Sequence, residues 1–173
     1  MLEGGRRAIR SRKKQLLTKV MKQKRLVWAK RHLNWTVEQW KKVLFTDESH
    51  FMVQRQRCAA IRKSKYFPIK DGHIIQTTEH LQKVMFWGCF DYKGPGRLHI
   101  CDGMMNSNEY IKVINHRIVH QLQQDYPDGD GLLQHDLAPC HSSTVVINHL
   151  KNIGVKVMNW PENSPDIAPI ENM

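Results

Sequence analysis

The chain has 173 residues, 40% of them hydrophobic, which is enough for one domain of ordinary size with a real core and too much for a disordered tail. Its formal charge of +11 is unevenly spread, since 14 of the 27 Lys and Arg lie in residues 1–42 against only Glu3 and Glu38. The remainder is therefore close to neutral, and the basic character belongs to the N-terminal segment.

Such a segment is either an electrostatic footprint for a polyanion, where each neutralised phosphate releases counterion, or a solvated helix face with a ragged terminus. Arg6-Arg7 through Arg12-Lys13-Lys14 also fits a weak nuclear-import reading. The four cysteines, Cys58, Cys89, Cys101 and Cys140, form no CxxC pair, and no apolar leader opens the chain, so a reduced intracellular compartment is expected rather than secretion. No run approaches the roughly 18 apolar residues of a membrane span, and no membrane partner is expected.

Taken in order, residues 1–15 are Gly- and Arg-rich without apolar periodicity, which predicts a basic disordered arm or linker carrying Arg6, Arg7, Arg10, Arg12, Lys13 and Lys14. From Leu17, Val20, Met21, Val27 and Trp28 recur at helical steps with Thr18 available as a cap, predicting a basic amphipathic helix to about Leu33. Its apolar stripe should dock on the domain and leave its lysines outside. Thr36 and Gln39 have the capping-box pattern of a second helical start, and residues 16–40 together read as a helical linker.

Val43 to Val53 is a predicted strand, an apolar run into Asp47 with alternation beyond. A carboxylate at the end of a buried strand is expensive unless paired, so Asp47 either starts a turn or belongs to a site. Glu48 should point to the opposite side of the strand and is not expected to be a ligand. Gln54 to His80 is polar and basic, with Arg55, Arg57, Arg62, Lys63 and Lys65. It is too long for an idle connection and reads as a functional excursion, with a short hairpin reaching toward DNA, against the alternative of an uncommitted surface loop.

Lys83 to Phe90 and Arg97 to Cys101 flank Asp91-Tyr92-Lys93-Gly94-Pro95-Gly96 and predict a hairpin with a turn longer than two residues. A helix over Asn108 to Leu122 follows, with Ser107 or Asn108 as its cap. A short buried strand, Leu132 to His135, ends at Asp136. Then come helix Ser143 to Lys151, strand Val155 to Met158, and an irregular run to Glu171, which should lie in a final helix opened by Pro169. Trp87 and Trp160 read as core. Cys140-His141 lacks a partner at ligand spacing, so a small buried residue beside a site histidine is preferred over a zinc site or thiol nucleophile. The order of three strands, helix, strand, helix, strand and a carboxylate leading into a helix is α/β and ribonuclease H-like. It is a mixed sheet flanked by helices, preceded by a basic N-terminal helix.

Trp28-Ala29-Lys30, Asn34-Trp35-Thr36, Phe45-Thr46-Asp47-Glu48-Ser49, Met85 to Phe90, Asp136 to Ser142 and Ser164 to Asn172 resemble, in order, the motifs of Tc1/mariner transposases. The resemblance implies that residues 41–173 form a DDE catalytic domain, with Asp47, Asp136 and Glu171 as its catalytic and metal-binding triad. The 34 residues between Asp136 and Glu171 match the spacing of the Tc1 branch. Three carboxylates can hold two hard divalent cations, Mg²⁺ or Mn²⁺, about 3.5 to 4 Å apart. Asp47 would bridge them, Asp136 would bind one, and Glu171 would complete the other and orient the attacking water.

The implied reaction is DNA strand cleavage at an element end followed by strand transfer to target DNA, without a covalent protein intermediate. The implied partners are transposon ends, target DNA and a second copy of the full-length protein, and the implied location is the nucleus. His141 either lies near the scissile phosphate or supports the loop, and support is preferred. The chain departs from the family at Leu137, where Asn is usual. It also lacks two helix-turn-helix modules before Leu16 and has only Asn172 and Met173 after Glu171, so it reads as a fragment truncated at its C-terminal helix. The alternative is a catalytically inactive transposon-derived DNA-binding protein that keeps the fold and the basic arm. A ribonuclease H-type nuclease without strand transfer is less favoured.

Overall fold

The computed structural model describes residues 16–52 and 83–172. The basic arm with Arg6, Arg7, Arg10, Arg12, Lys13 and Lys14, and the excursion with Arg55, Arg57, Arg62, Lys63 and Lys65, lie outside the described residues.

Five strands, β1 (Val43–Met52), β2 (Lys83–Asp91), β3 (Gly94–Ile100), β4 (Leu132–Gln134) and β5 (Lys156–Val157), form one sheet in the order β3-β2-β1-β4-β5. The first three pair antiparallel, whereas β1–β4 and β4–β5 are parallel, so the sheet is mixed as expected. The two-residue period of β1 feeds two layers. Leu44 enters a core with Met85, Trp87, Tyr110, Ile114 and Leu133, while Val43 and Phe45 enter another with Met158, Trp160 and Ala168. Trp87 and Trp160 are 0% and 4% exposed, in agreement with a core role for both. Each large side chain buried in this way contributes on the order of 1.5–3 kcal/mol.

Helix α1 (Lys19–His32) begins where Thr18 Oγ1 accepts from the Met21 N–H at 3.2 Å. It docks through Trp28, whose ring meets Trp160 edge-on at 4.9 Å, while Val20 of the expected apolar stripe stays exposed. Helix α2 (Val37–Trp40) has the Thr36–Gln39 capping box bonded in both directions.

The hairpin corrects the expected long turn. Asp91 pairs with Gly94 and Phe90 with Pro95, so only Tyr92 and Lys93 turn, and the Lys93 N–H donates to Asp91 Oδ1 at 2.8 Å. Gly94-Pro95-Gly96 belongs to β3, where Pro is tolerated because the strand is at an edge. Gly96 is required there by space, since a Cβ would lie 2.7 Å from Cys89 Sγ.

The following helix is capped one residue earlier than expected, by Asn106, whose side chain accepts from the Asn108 and Glu109 N–H groups. It runs as α3 (Ser107–Val113), a π turn (Ile114–Ile118) and α4 (Val119–Asp125), past the expected end at Leu122. Helix α5 (Thr144–Asn152) is capped by Ser143, and β5 is shorter than the expected Val155 to Met158. Among the described residues no helix is long and apolar enough to cross a membrane.

Candidate active site

The parallel register of β1 and β4 sets Phe45 opposite Gln134, and two residues beyond these lie Asp47 and Asp136. Strand pairing thus delivers two carboxylates to one end of the sheet. Glu171 arrives from the chain's last turn, and all three line one cavity of about 330 Å³ together with Thr46, Gln134 and Trp160. Glu171 is not in an α-helix as expected. It lies in the second of two 3₁₀ turns, Pro165–Ile167 and Pro169–Asn172. The two prolines lack N–H groups and divide the segment into short turns, which favour i→i+3 bonding.

The three carboxylates differ electrostatically. Burial, reinforced by the nearby Glu171, Glu48 and Asp136 carboxylates, pushes the Asp47 carboxyl up to about 6 against the opposing bond from the Glu48 backbone. Asp136 moves the other way, held below the usual carboxylate range chiefly by its bond from His141, Nδ1 to Oδ1 at 2.8 Å, with help from the Ala138 N–H at 2.9 Å.

Burial alone would lower the His141 pKa, but contacts with Asp136 and Glu48 outweigh it and raise the group to about 10, so it is an imidazolium at neutral pH. Nε2 lies 3.2 Å from Glu48 Oε1, an ion pair without hydrogen-bond geometry. The ring packs between Tyr110 at 4.1 Å and His135, stacked at 4.9 Å. Burial holds His135 down at about 4, so it is neutral, and its Nδ1 shares a hydrogen bond with the Tyr110 hydroxyl at 2.7 Å. His141 is therefore bonded directly to one of the three carboxylates.

Two residues were missed by sequence reasoning. Glu48 does point to the opposite side of β1, but that side holds His141, and ligand atoms of Glu48, Asp136 and His141 all lie within 4.8 Å of one another. The signal was available in the expense of a second carboxylate on a buried strand. Arg25 of α1 is the other. Its Nη1 donates to Ser164 Oγ at 2.7 Å and the Asn163 carbonyl at 3.1 Å, and its Nη2 pairs with Asp166 Oδ2 at 2.6 Å. Nothing in a run of helical lysines and arginines marks which one is committed to a partner. Met21, one turn before, lines the carboxylate cavity. Leu137 also lines it, 47% exposed, with no side-chain hydrogen bond to offer.

Residues 42–173 match the family model described as DDE superfamily endonuclease. The chain is similar to the transposable element Tcb1 transposase of Caenorhabditis briggsae, 31% identical over 98% of this chain and 61% of that protein. It is 30% identical to the transposable element Tc1 transposase of Caenorhabditis elegans, over 93% of this chain and 59% of that one. The chain thus spans about three-fifths of the length of these curated relatives. Two solved structures have similar folds at 18% identity, each covering 98% of this chain and 51% of its own. They are a Mos1 transposase paired-end complex with left transposon end, TM-score 0.74, and a Mos1 mariner paired-end complex with Mn, TM-score 0.73.

Proposed function

Because this chain belongs to the DDE superfamily of endonucleases, we propose that it is the catalytic domain of a Tc1-like transposase, cutting DNA at a transposon end and joining the freed 3′-hydroxyl to target DNA. The observation that carries this reading is the meeting of Asp47, Asp136 and Glu171, from two strand ends and a turn, at one cavity.

The donor set fits a divalent cation. Burial first, and then the neighbouring Glu171, Glu48 and Asp136 carboxylates, push the Asp47 carboxyl up to about 6, a cost that hard divalent charge would relieve, and oxygen ligands suit Mg²⁺ or Mn²⁺. Solved Mos1 complexes carry Mn or Mg, which supports the same choice. In this reading Asp47, Asp136 and Glu171 would hold the divalent cation charge at the cavity. When bound, such ions neutralise charge on the scissile phosphate and lower the pKa of the attacking water.

The chain's own residues do the positioning. Asp136 keeps its orientation through His141 and the Ala138 N–H, and stays ionised because of them. Glu171 faces the cavity and orients the water, whose oxygen adds to phosphorus as the bond to the 3′-oxygen breaks. That 3′-hydroxyl then attacks a target phosphodiester in a transesterification.

DNA is the proposed partner, as the relatives are transposases and a Mos1 complex contains a transposon end. Arg6, Arg7, Arg10, Arg12, Lys13, Lys14, Arg55, Arg57, Arg62, Lys63 and Lys65 are proposed backbone contacts, supported by the charge distribution. A homodimer of the full-length protein and a nuclear location complete the reading. Deleting residues 1–14 should flatten the dependence of DNA affinity on salt, and an unchanged slope would remove the arm's role.

A second reading, an inactive transposon-derived DNA-binding protein, is favoured by Leu137, which brings no polar side chain to the cavity. The two readings separate in a plasmid nicking assay with Mn²⁺. We expect nicking that Asp136→Ala abolishes. Equal activity in both proteins, or none in either, would sink the enzyme.

A further inference from the structure

We propose that Arg25, on a helix outside the stretch matched to the endonuclease family, is a positioning residue for Glu171, holding the segment from Asn163 to Glu171 against α1. This inference rests on the proposed metal-ligand role of Glu171.

The segment does little to hold itself. Its internal backbone bonds are few and long, with the Ile167 N–H to Ser164 O at 3.3 Å, Ala168 to Pro165 at 3.2 Å and Glu171 to Ala168 at 3.2 Å. Asn163 sits at φ 48°, a left-handed conformation that an L-residue adopts only at some cost, though Asn tolerates it better than most. Geometry of this kind persists when something outside over-determines it.

Two outside anchors are present. Downstream, Ala168, Ile167 and Ile170 pack into the core around Val43 and Trp160. Upstream, the Arg25 fork bonds three successive features of the loop, the Asn163 carbonyl, the Ser164 hydroxyl and the Asp166 carboxylate. The Asp166 pair alone would count for little, because that carboxylate is 64% exposed and screened. Ser164 is different, being 4% exposed, so its bond to Arg25 is sheltered from water. A planar guanidinium can hold several acceptors at fixed angles, which an ammonium cannot. Both anchors precede Glu171 in the chain, the polar one at Asn163 to Asp166 and the apolar one at Ile167 to Ile170, so together they fix the path that leads into it.

The basic face of α1 invites a DNA-contact reading for the same residue. The Arg25 side chain is only 17% exposed, and both terminal nitrogens already have partners, whereas its neighbour Lys24 is 53% exposed. Arg25 therefore serves the fold of the site before it serves a phosphate.

The test measures Mn²⁺ binding by the full chain from the electron paramagnetic resonance of free Mn²⁺, with amide hydrogen exchange over residues 162–172 as a readout independent of metal. Arg25→Ala is expected to weaken Mn²⁺ binding about ten-fold, as loss of an outer-shell partner does. It should also speed exchange in that segment while leaving β1 and β4 protected. The effect should not add to that of Glu171→Gln, because both act through one ligand. Arg25→Lys should fall between.

Mn²⁺ affinity within about two-fold of wild type and unchanged exchange in Arg25→Ala would overturn the proposal, as would full additivity with Glu171→Gln. If Glu171→Gln itself binds Mn²⁺ like wild type, the site reading fails. A normal Arg25→Ala beside a weakened Glu171→Gln overturns only the positioning role. Should Arg25→Ala not fold, Ser164→Ala combined with Asp166→Ala removes the two side-chain acceptors instead and carries the same expectations.

Discussion

Replacing Asp47 by Asn should make the metal-free protein more stable while abolishing its metal response. The Asp47 carboxyl is pushed up to about 6, mainly by burial and then by its acidic neighbours, so its ionised form is a burden on the fold at neutral pH. Measured from an ordinary value near 3.9, that displacement corresponds to about 3 kcal/mol at full strength. Solvent screening at a partly buried position reduces it to about 1–2 kcal/mol. Asn is nearly isosteric, and its side-chain oxygen can still accept from the Glu48 backbone.

For a chain of this length the gain corresponds to about 2–8 °C in Tm. An acid with a raised folded-state pKa destabilises only when ionised. The gap between Asn and wild type should therefore be absent below about pH 4, open between pH 4 and 6, and stay constant above. Divalent cation should reverse the ranking, because 100 times the Kd of Mn²⁺ stabilises a binding protein by about 2.7 kcal/mol and a non-binding one not at all. Thermal melts at pH 3.5 and 7.5, with EDTA or Mn²⁺, measure all four conditions. An Asp47→Asn protein that melts below wild type at pH 7.5 in EDTA, with no Mn²⁺ stabilisation of wild type, would refute the reasoning.

Three further outcomes are expected. His141→Ala removes the donor to Asp136 and leaves Glu48 facing no cation, which should cost about 3–5 kcal/mol in urea unfolding, and a cost below about 1 kcal/mol would argue against the buried ion pairing. Glu109, bonded first by Lys112 and then by His99, is held down at about 2, so its ionised form stabilises the fold at neutral pH. Glu109→Gln should lose about 1–2 kcal/mol at pH 7, and the gap should close as pH falls from about 4.3 toward 2; a pH-independent gap would remove the ion pair from the account. Gly96→Ala drives a methyl to 2.7 Å from Cys89 Sγ, whereas at Gly88 the nearest atom is 3.6 Å away. The first should destabilise by about 1–3 kcal/mol and the second by less, with equal midpoint shifts counting against close packing of β3 on α4.

The element order was legible because apolar periodicity changed where the backbone changes. Two apolar runs each led toward a carboxylate, and the parallel register of β1 with β4 brings those carboxylates together at one cavity. The Thr36–Gln39 box and the core tryptophans were readable for similar local reasons. Gly94-Pro95-Gly96 misled because turn-forming residues are equally at home on an edge strand with no room for a side chain. The Asn106 cap was missed because Ser107 and Asn108 beside it are equally good cap residues, so residue type alone does not choose among the three. Alternation placed Glu48 on the right side of β1 but said nothing of the histidine waiting there. Arg25 was hidden more deeply, since its partners lie 138 to 141 positions away and only the tertiary fold names them.

The cavity draws its acids from β1, from the residue after His135 and from the final turn, so no early stretch of chain contains a working set. The β1–β4 pairing is parallel and spans the whole hairpin and long helix, which makes it a late, long-range event in folding. A nascent or partly unfolded copy therefore presents scattered carboxylates and no shared cavity. Assembly of the cavity is thus tied to completion of the sheet, and its three carboxylates converge only in the folded chain.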